Sequence, residues 1–130
     1  MRSADLTGFQ WHDWPPDLRA LPNLRCVYAF RLRPRPEGPA VFGRLRGESD
    51  LLFIGATRRL RDKLQGYLEP RHHAREGIRL HEFLSLRGYG PAVQLGYRPS
   101  DYPTQEEREL LRRYEQEHHE LPPWNEEPLP

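Results

Sequence analysis

A wholly apolar run at 51–54, Leu-Leu-Phe-Ile, followed at once by Gly55 and a helix-patterned stretch, constrains this chain more than any other feature. Four residues are too few for a helix, and their apolar character marks a buried strand. Gly55 ends it, and Thr57 is placed to cap a helix by offering its hydroxyl to a free backbone N–H. From there Leu60, Leu64, Tyr67 and Leu68 recur at helical spacing and form one apolar face. Arg58, Arg59, Arg61 and Lys63 fall outside it. A buried strand therefore feeds a helix that is greasy on one side and cationic on another, a combination suited to an anionic ligand.

The remaining sequence is enough for one domain with a single modest core, since the chain has 130 residues. Only 36% of them are hydrophobic and 14 are proline, clustered at 14–16, 33–39 and 121–130, so long loops or a frayed terminus are expected. The single Cys26 excludes an intrachain disulfide and a cysteine-cage zinc site. No apolar run approaches membrane-spanning length, and the N-terminus lacks a signal peptide's basic start and apolar middle. A soluble cytoplasmic protein with no membrane association is the expectation. The net charge of +1 conceals an asymmetry: residues 1–100 carry 17 Arg and Lys against 10 Asp and Glu, and residues 101–130 carry 3 against 9. A polyanion would engage the basic body and not the acidic end.

Residues 1–20 read as an irregular lead-in, with Phe9, Trp11 and Trp14 as lids over core surface. Residues 24–32 are rich in strand formers. Residues 33–39 must be a loop, because their X-Pro pairs forbid helix and remove ladder bonds. A second short strand is expected at 41–45 and a turn at 47–50. Pro70 ends or closely follows the cationic helix, and His72 and His73 fall in a polar, arginine-rich loop. Residues 78–86 predict a second helix stopped by Gly88 and Gly90, 92–97 a strand, and 103 to about 119 the last helix. Adjacent histidines point about 100° apart on a helix, so neither His72-His73 nor His118-His119 makes a chelating pair.

In the last helix Glu107 falls inside the apolar arc of Leu110, Leu111 and Tyr114. A carboxylate facing a core is costly unless it is paired, bonded or bound to a metal. Thr104-Gln105-Glu106-Glu107 is also a T-x-x-E capping box, and this helix alone favours that simpler role. Tyr28 by itself is a β-former packed in a core, and Tyr67 a packed tyrosine with its hydroxyl at the edge. Lys63 lies one turn before Tyr67, so their polar ends can converge. Asn125 alone reads as a loop residue bonding its own backbone.

Together and in order, these residues resemble the GIY-YIG nuclease family. Cys26-Val27-Tyr28 stands where the family has G-I-Y, and Phe53-Ile54-Gly55 where it has Y-I-G. Lys63 occupies the arginine position ten residues beyond the second motif's tyrosine, with Tyr67 one turn later. Glu107 precedes the Leu110-Leu111 pair as the family's glutamate does, and Asn125 follows the turn Pro122-Pro123-Trp124. The resemblance covers 21–125, leaving 1–20 as lead-in and 126–130 as an acidic, proline-containing tail.

It implies an α+β domain, a small three-stranded antiparallel sheet flanked by about three helices, acting as a metal-dependent DNA endonuclease. Glu107 would hold one divalent cation, Mg²⁺ or Mn²⁺. Tyr28 would take or relay the proton of the attacking water, Lys63 would balance charge on the phosphate, Tyr67 would orient the water or phosphate, and Asn125 would pin the site. Arg58, Arg59 and Arg61 would add contacts to the DNA phosphate backbone, with specificity low or supplied by a partner protein. Three departures accompany the match. Phe53 loses the second tyrosine's hydroxyl, Lys63 lacks arginine's fork, and Cys26 replaces glycine. The alternatives are a catalytically degenerate member that binds nucleic acid or a protein without cleavage, and a purely structural domain.

Overall fold

Residues 26–30, Cys-Val-Tyr-Ala-Phe, are buried on both faces, which requires a central strand covered above and below. The computed structural model describes residues 1–69 and 75–125, with only the backbone of Arg75. Pro70, the His72-His73 pair and the 126–130 tail lie outside the described residues. The strands are β1 (Gln10–Asp13), β2 (Cys26–Leu32), β3 (Phe42–Gly43), β4 (Glu48–Ser49), β5 (Leu51–Thr57) and β6 (Val93–Pro99). The helices are α1 (Leu60–Leu68), α2 (Arg75–His81) and α3 (Pro103–His118).

The molecule is a mixed α+β domain around a four-stranded antiparallel sheet, ordered β1-β6-β2-β5. The expectation of three strands is corrected by β1, which comes from the lead-in read as irregular. Its four residues, Gln-Trp-His-Asp, give too little alternation to announce a strand. Trp11 secures it from across the ladder: it pairs with Gly96, and a Cβ there would sit 2.5 Å from the indole. Glycine is what permits that approach. The indole also carries the Arg31 guanidinium 4.1 Å from its centroid. The expected 41–45 strand is also displaced. Only Phe42 and Gly43 are extended, and they pair with Glu48 and Ser49 in a separate two-residue ribbon.

Alternation along β2 sorts the core into two layers. Tyr28 and Phe30 face α1 and α2 with Phe53, Leu60, Leu64, Tyr67, Leu80 and Trp124. Val27 and Ala29 face α3 with Ile54, Leu110 and Tyr114. Cys26 is fully buried, and burial pushes its thiol up to about 12, so it stays protonated as a small core residue.

Helix α1 starts later than the sequence implied. Thr57 still offers its hydroxyl, to the Arg59 N–H at 3.1 Å, but the first-turn donors of Arg61 and Asp62 both go to Asn23 Oδ1. The expected 78–86 helix is α2 from Arg75, continued by a single π-type turn at Glu82–Leu86. Among the described residues no helix is long and apolar enough to cross a membrane.

Candidate functional site

β2, β5 and α1 bring Tyr28, Gly55, Lys63 and Tyr67 to one place by simple register. Tyr28 pairs with Gly55 across the ladder, and a Cβ on residue 55 would lie 2.6 Å from Tyr28 Cζ and 2.8 Å from its hydroxyl. Gly55 therefore makes room for the Tyr28 ring. Phe53 flanks the same ring at 5.9 Å between centroids, supplying apolar packing. Tyr67 reaches in from α1, its hydroxyl 2.5 Å from that of Tyr28. Both rings are closed to solvent, at 0% and 1% exposure.

A residue that the sequence did not single out completes the group. Glu76, in the first turn of α2, accepts from the Tyr67 hydroxyl at 2.8 Å on Oε1, and the Tyr28 hydroxyl lies 3.3 Å from the same oxygen. Lys63 Nζ donates to its Oε2 at 3.1 Å. One carboxylate thus gathers an ammonium and a hydroxyl from α1, with the β2 hydroxyl beside them. The lysine and glutamate side chains are each about one-third exposed, so they form the solvent side of an otherwise closed cluster.

Glu107 approaches from α3. It does not close a capping box, because Pro103 occupies the first helical position and sets the helix start ahead of Thr104. Thr104 is then inside the first turn, with an ordinary helical backbone and no capping bond to offer. The Glu107 carboxyl instead meets the backbone N–H of Ala56 on β5. Its pKa is raised, first by burial and then by the neighbouring charge of Glu76, with Arg108, Lys63 and the Ala56 N–H pulling the other way. Tyr28 and Tyr67 are held well above the ordinary phenol range, again by burial first, with the Glu76 charge adding to both.

Asn125 stands apart from this cluster and acts on the backbone. Its Oδ1 accepts from the Ile54 N–H at 3.1 Å and its Nδ2 donates to the Ile54 carbonyl at 2.9 Å, while Trp124 N–H donates to the Leu52 carbonyl. Together they close the outer edge of β5 beside the point where Glu107 meets it. Arg79 on α2 ties into the same segment by donating to the Trp124 carbonyl at 2.5 Å.

The three arginines expected to touch phosphate divide. Arg58 is exposed and lines a shallow hollow with Arg25, Asp101, Tyr102 and Thr104. Arg59 is mostly exposed and lies 3.6 Å from Asp62. Arg61 is committed elsewhere: its guanidinium donates twice to the Leu21 carbonyl, at 3.2 and 2.6 Å. A second hollow along α3, lined by Thr104, Gln105, Arg108, Glu109 and Arg112, adjoins the first through Thr104 and Gln105. The exposed cations nearest Glu107 therefore include Arg108, which sequence reasoning left out.

Among the described residues no group of three or more His, Cys, Asp or Glu side chains converges on one point. The carboxylates present suit a cation that takes one or two of them and completes its shell with water and phosphate oxygens, as Mg²⁺ and Mn²⁺ do. Glu107 would hold it, and the mutual repulsion between Glu107 and Glu76 is what a nearby positive charge would relieve. Compared with protein-family models, with curated proteins and with solved structures, the chain finds no significant match in any of the three.

Proposed function

We propose that this chain is a divalent-metal-dependent endonuclease that hydrolyses DNA phosphodiester bonds as GIY-YIG nucleases do. The observation that carries the proposal is the meeting of Tyr28, Lys63 and Tyr67 in one hydrogen-bonded cluster, with Glu107 close enough to be felt electrostatically. These residues span some eighty positions of chain, and packing alone gives no reason to gather two hydroxyls, an ammonium and two carboxylates in one partly buried cluster.

In this scheme the cation held at Glu107 supplies Lewis acidity to the scissile phosphate when bound. Lys63 offers a point charge to a non-bridging oxygen. Tyr28 receives the proton of the attacking water, and Tyr67 fixes the Tyr28 hydroxyl. Asn125 holds β5 in register beneath Tyr28. Arg58, Arg108 and Arg112 lay the sugar–phosphate backbone along the two adjoining hollows, a sequence-independent contact that weakens steeply with salt. A partner protein would supply sequence or structure preference.

A second reading has one observation in its favour. The Lys63 charge is already engaged by Glu76, so the site can bind nucleic acid at its arginine rim while leaving the chemistry unused. Supercoiled plasmid decides between them. The nuclease predicts nicking with Mg²⁺ or Mn²⁺ that chelator stops and Glu107→Gln abolishes. The binder predicts salt-sensitive retardation of DNA in gels, lowered by Arg58→Ala and Arg108→Ala, with the plasmid left intact at every metal concentration.

A further inference from the structure

We propose that Glu76 is the proton acceptor of this site, drawing a proton from the attacking water through Tyr28 and Tyr67. The inference rests on the nuclease reading above and adds a residue and a direction to it. Tyr67 donates to Glu76 Oε1 at 2.8 Å, which uses the only proton the Tyr67 hydroxyl has. The 2.5 Å contact between the two phenols is then Tyr28 donating to Tyr67, the nearer of its two acceptors, with Glu76 Oε1 3.3 Å away. With its own proton turned toward Tyr67, the Tyr28 oxygen is left as an acceptor at the head of the chain. A carboxylate at one end thus sets the polarity of both hydroxyls.

Neither tyrosine suits the work alone. Both are sealed from solvent, and a buried phenol beside a carboxylate resists becoming phenolate. Glu76 differs from them in being one-third exposed, so a proton delivered to it can leave to bulk water. Among the described residues the charged and titratable groups facing it are Lys63 and Tyr67 from α1, Tyr28 from β2 and Glu107 from α3, with Arg79 of its own helix acting on Tyr67.

The step balances as follows. The water oxygen forms its bond to phosphorus as its proton passes to the Tyr28 oxygen, the Tyr28 proton to the Tyr67 oxygen, and the Tyr67 proton to Glu76 Oε1. The phosphorus–oxygen bond to the leaving nucleoside breaks, and that oxygen takes a proton from solvent. Glu76 then returns its proton to solvent through its exposed side. The step needs substrate binding to open a path to the Tyr28 oxygen, since solvent reaches neither phenol. Glu76 acts through Tyr28 and is a positioning residue for the proton, not a group that touches the phosphate.

Single-turnover nicking of plasmid with Mn²⁺, measured across pH for wild type, Glu76→Gln and Glu76→Asp, tests this. Glutamine keeps the shape and accepts the Tyr67 bond but takes no proton. It should lower the rate by about 100-fold or more and remove the acid limb of the pH profile, while aspartate should restore part of both. Tyrosines isotope-labelled at Cζ give a readout apart from activity: the Tyr67 and Tyr28 resonances should both move in Glu76→Gln and return toward wild type in Glu76→Asp, while those of Tyr97 and Tyr114 stay in place. If wild type does not nick, the nuclease reading fails and the relay with it. If wild type nicks and folded Glu76→Gln nicks equally well, or faster because the carboxylate only occupied the phosphate's place, the relay alone is overturned.

Discussion

The hydroxyls of Tyr28 and Tyr67 lie 2.5 Å apart although 39 residues separate them in sequence. Their bonds are not equivalent, because Tyr67 also holds the shorter contact to Glu76. Tyr67→Phe strips a donor from that carboxylate and the partner from Tyr28, whereas Tyr28→Phe leaves the Tyr67–Glu76 bond in place. Urea unfolding should show Tyr67→Phe costing about 1–3 kcal/mol and Tyr28→Phe about 0.5–1.5 kcal/mol. The reverse order would contradict the assigned direction of the hydrogen bonds.

Two glycines give a matched contrast. At Gly55 an added methyl would lie 2.6 Å from Tyr28 and 2.7 Å from Phe53, whereas nothing stands within 4 Å of one at Gly66 in α1. Gly55→Ala should destabilise by about 1–3 kcal/mol through overpacking and push the Tyr28 hydroxyl off Tyr67. Gly66→Ala should stabilise by up to about 1 kcal/mol through helix propensity. Denaturant midpoints of the pair, with unchanged slopes, check both.

How far the sequence carried depends on whether a signal was local. The strand at 51–54, the strand around Tyr28 and the helix from Pro103 announce themselves by apolar runs and 3.6-residue spacing, and each is present. The position of Glu107 inside an apolar arc was legible too, and the cap that competed with it lost to Pro103, which moves the helix start. Glu76 was missed because the second helix was expected to begin only at Ile78. Extended back to Arg75, the same wheel puts Glu76 about 40° from buried Leu80, the signal that marked Glu107. Arg61 could not be read as structural, since its partner is the Leu21 carbonyl, and backbone acceptors leave no trace in side-chain patterns. β1 was illegible for a related reason: its place is fixed by Gly96 on another strand.

Asn125 holds β5 in place of a neighbouring strand, bonding both the N–H and the carbonyl of Ile54. Asn125→Ala leaves both without their partner and should cost about 1–3 kcal/mol. Asn125→Asp keeps the acceptor and loses the donor, so it should fall between. Hydrogen exchange at the Ile54 amide is the specific check. It should quicken in the alanine variant well beyond amides in β6, whereas a uniform rise across the sheet would mean only a general loss of stability.

The Glu107 carboxyl holds its proton to higher pH in the folded chain than in the unfolded one, through burial first and the charge of Glu76 second. Between the ordinary carboxylate pKa and the raised value, the folded state therefore binds more protons than the unfolded state. Stability falls as pH rises through that window. Glu107→Gln should remove this slope, leaving a protein that matches wild type at low pH and melts higher near neutrality. Mg²⁺ or Mn²⁺ bound to the ionised carboxylate should act oppositely, raising the wild-type melting temperature near neutral pH and not at low pH, where protons compete for the same oxygens. Melting curves of both proteins, with and without cation across that range, separate the outcomes. A wild type indifferent to cation at every pH would remove Glu107 as a metal ligand, whatever its plasmid activity.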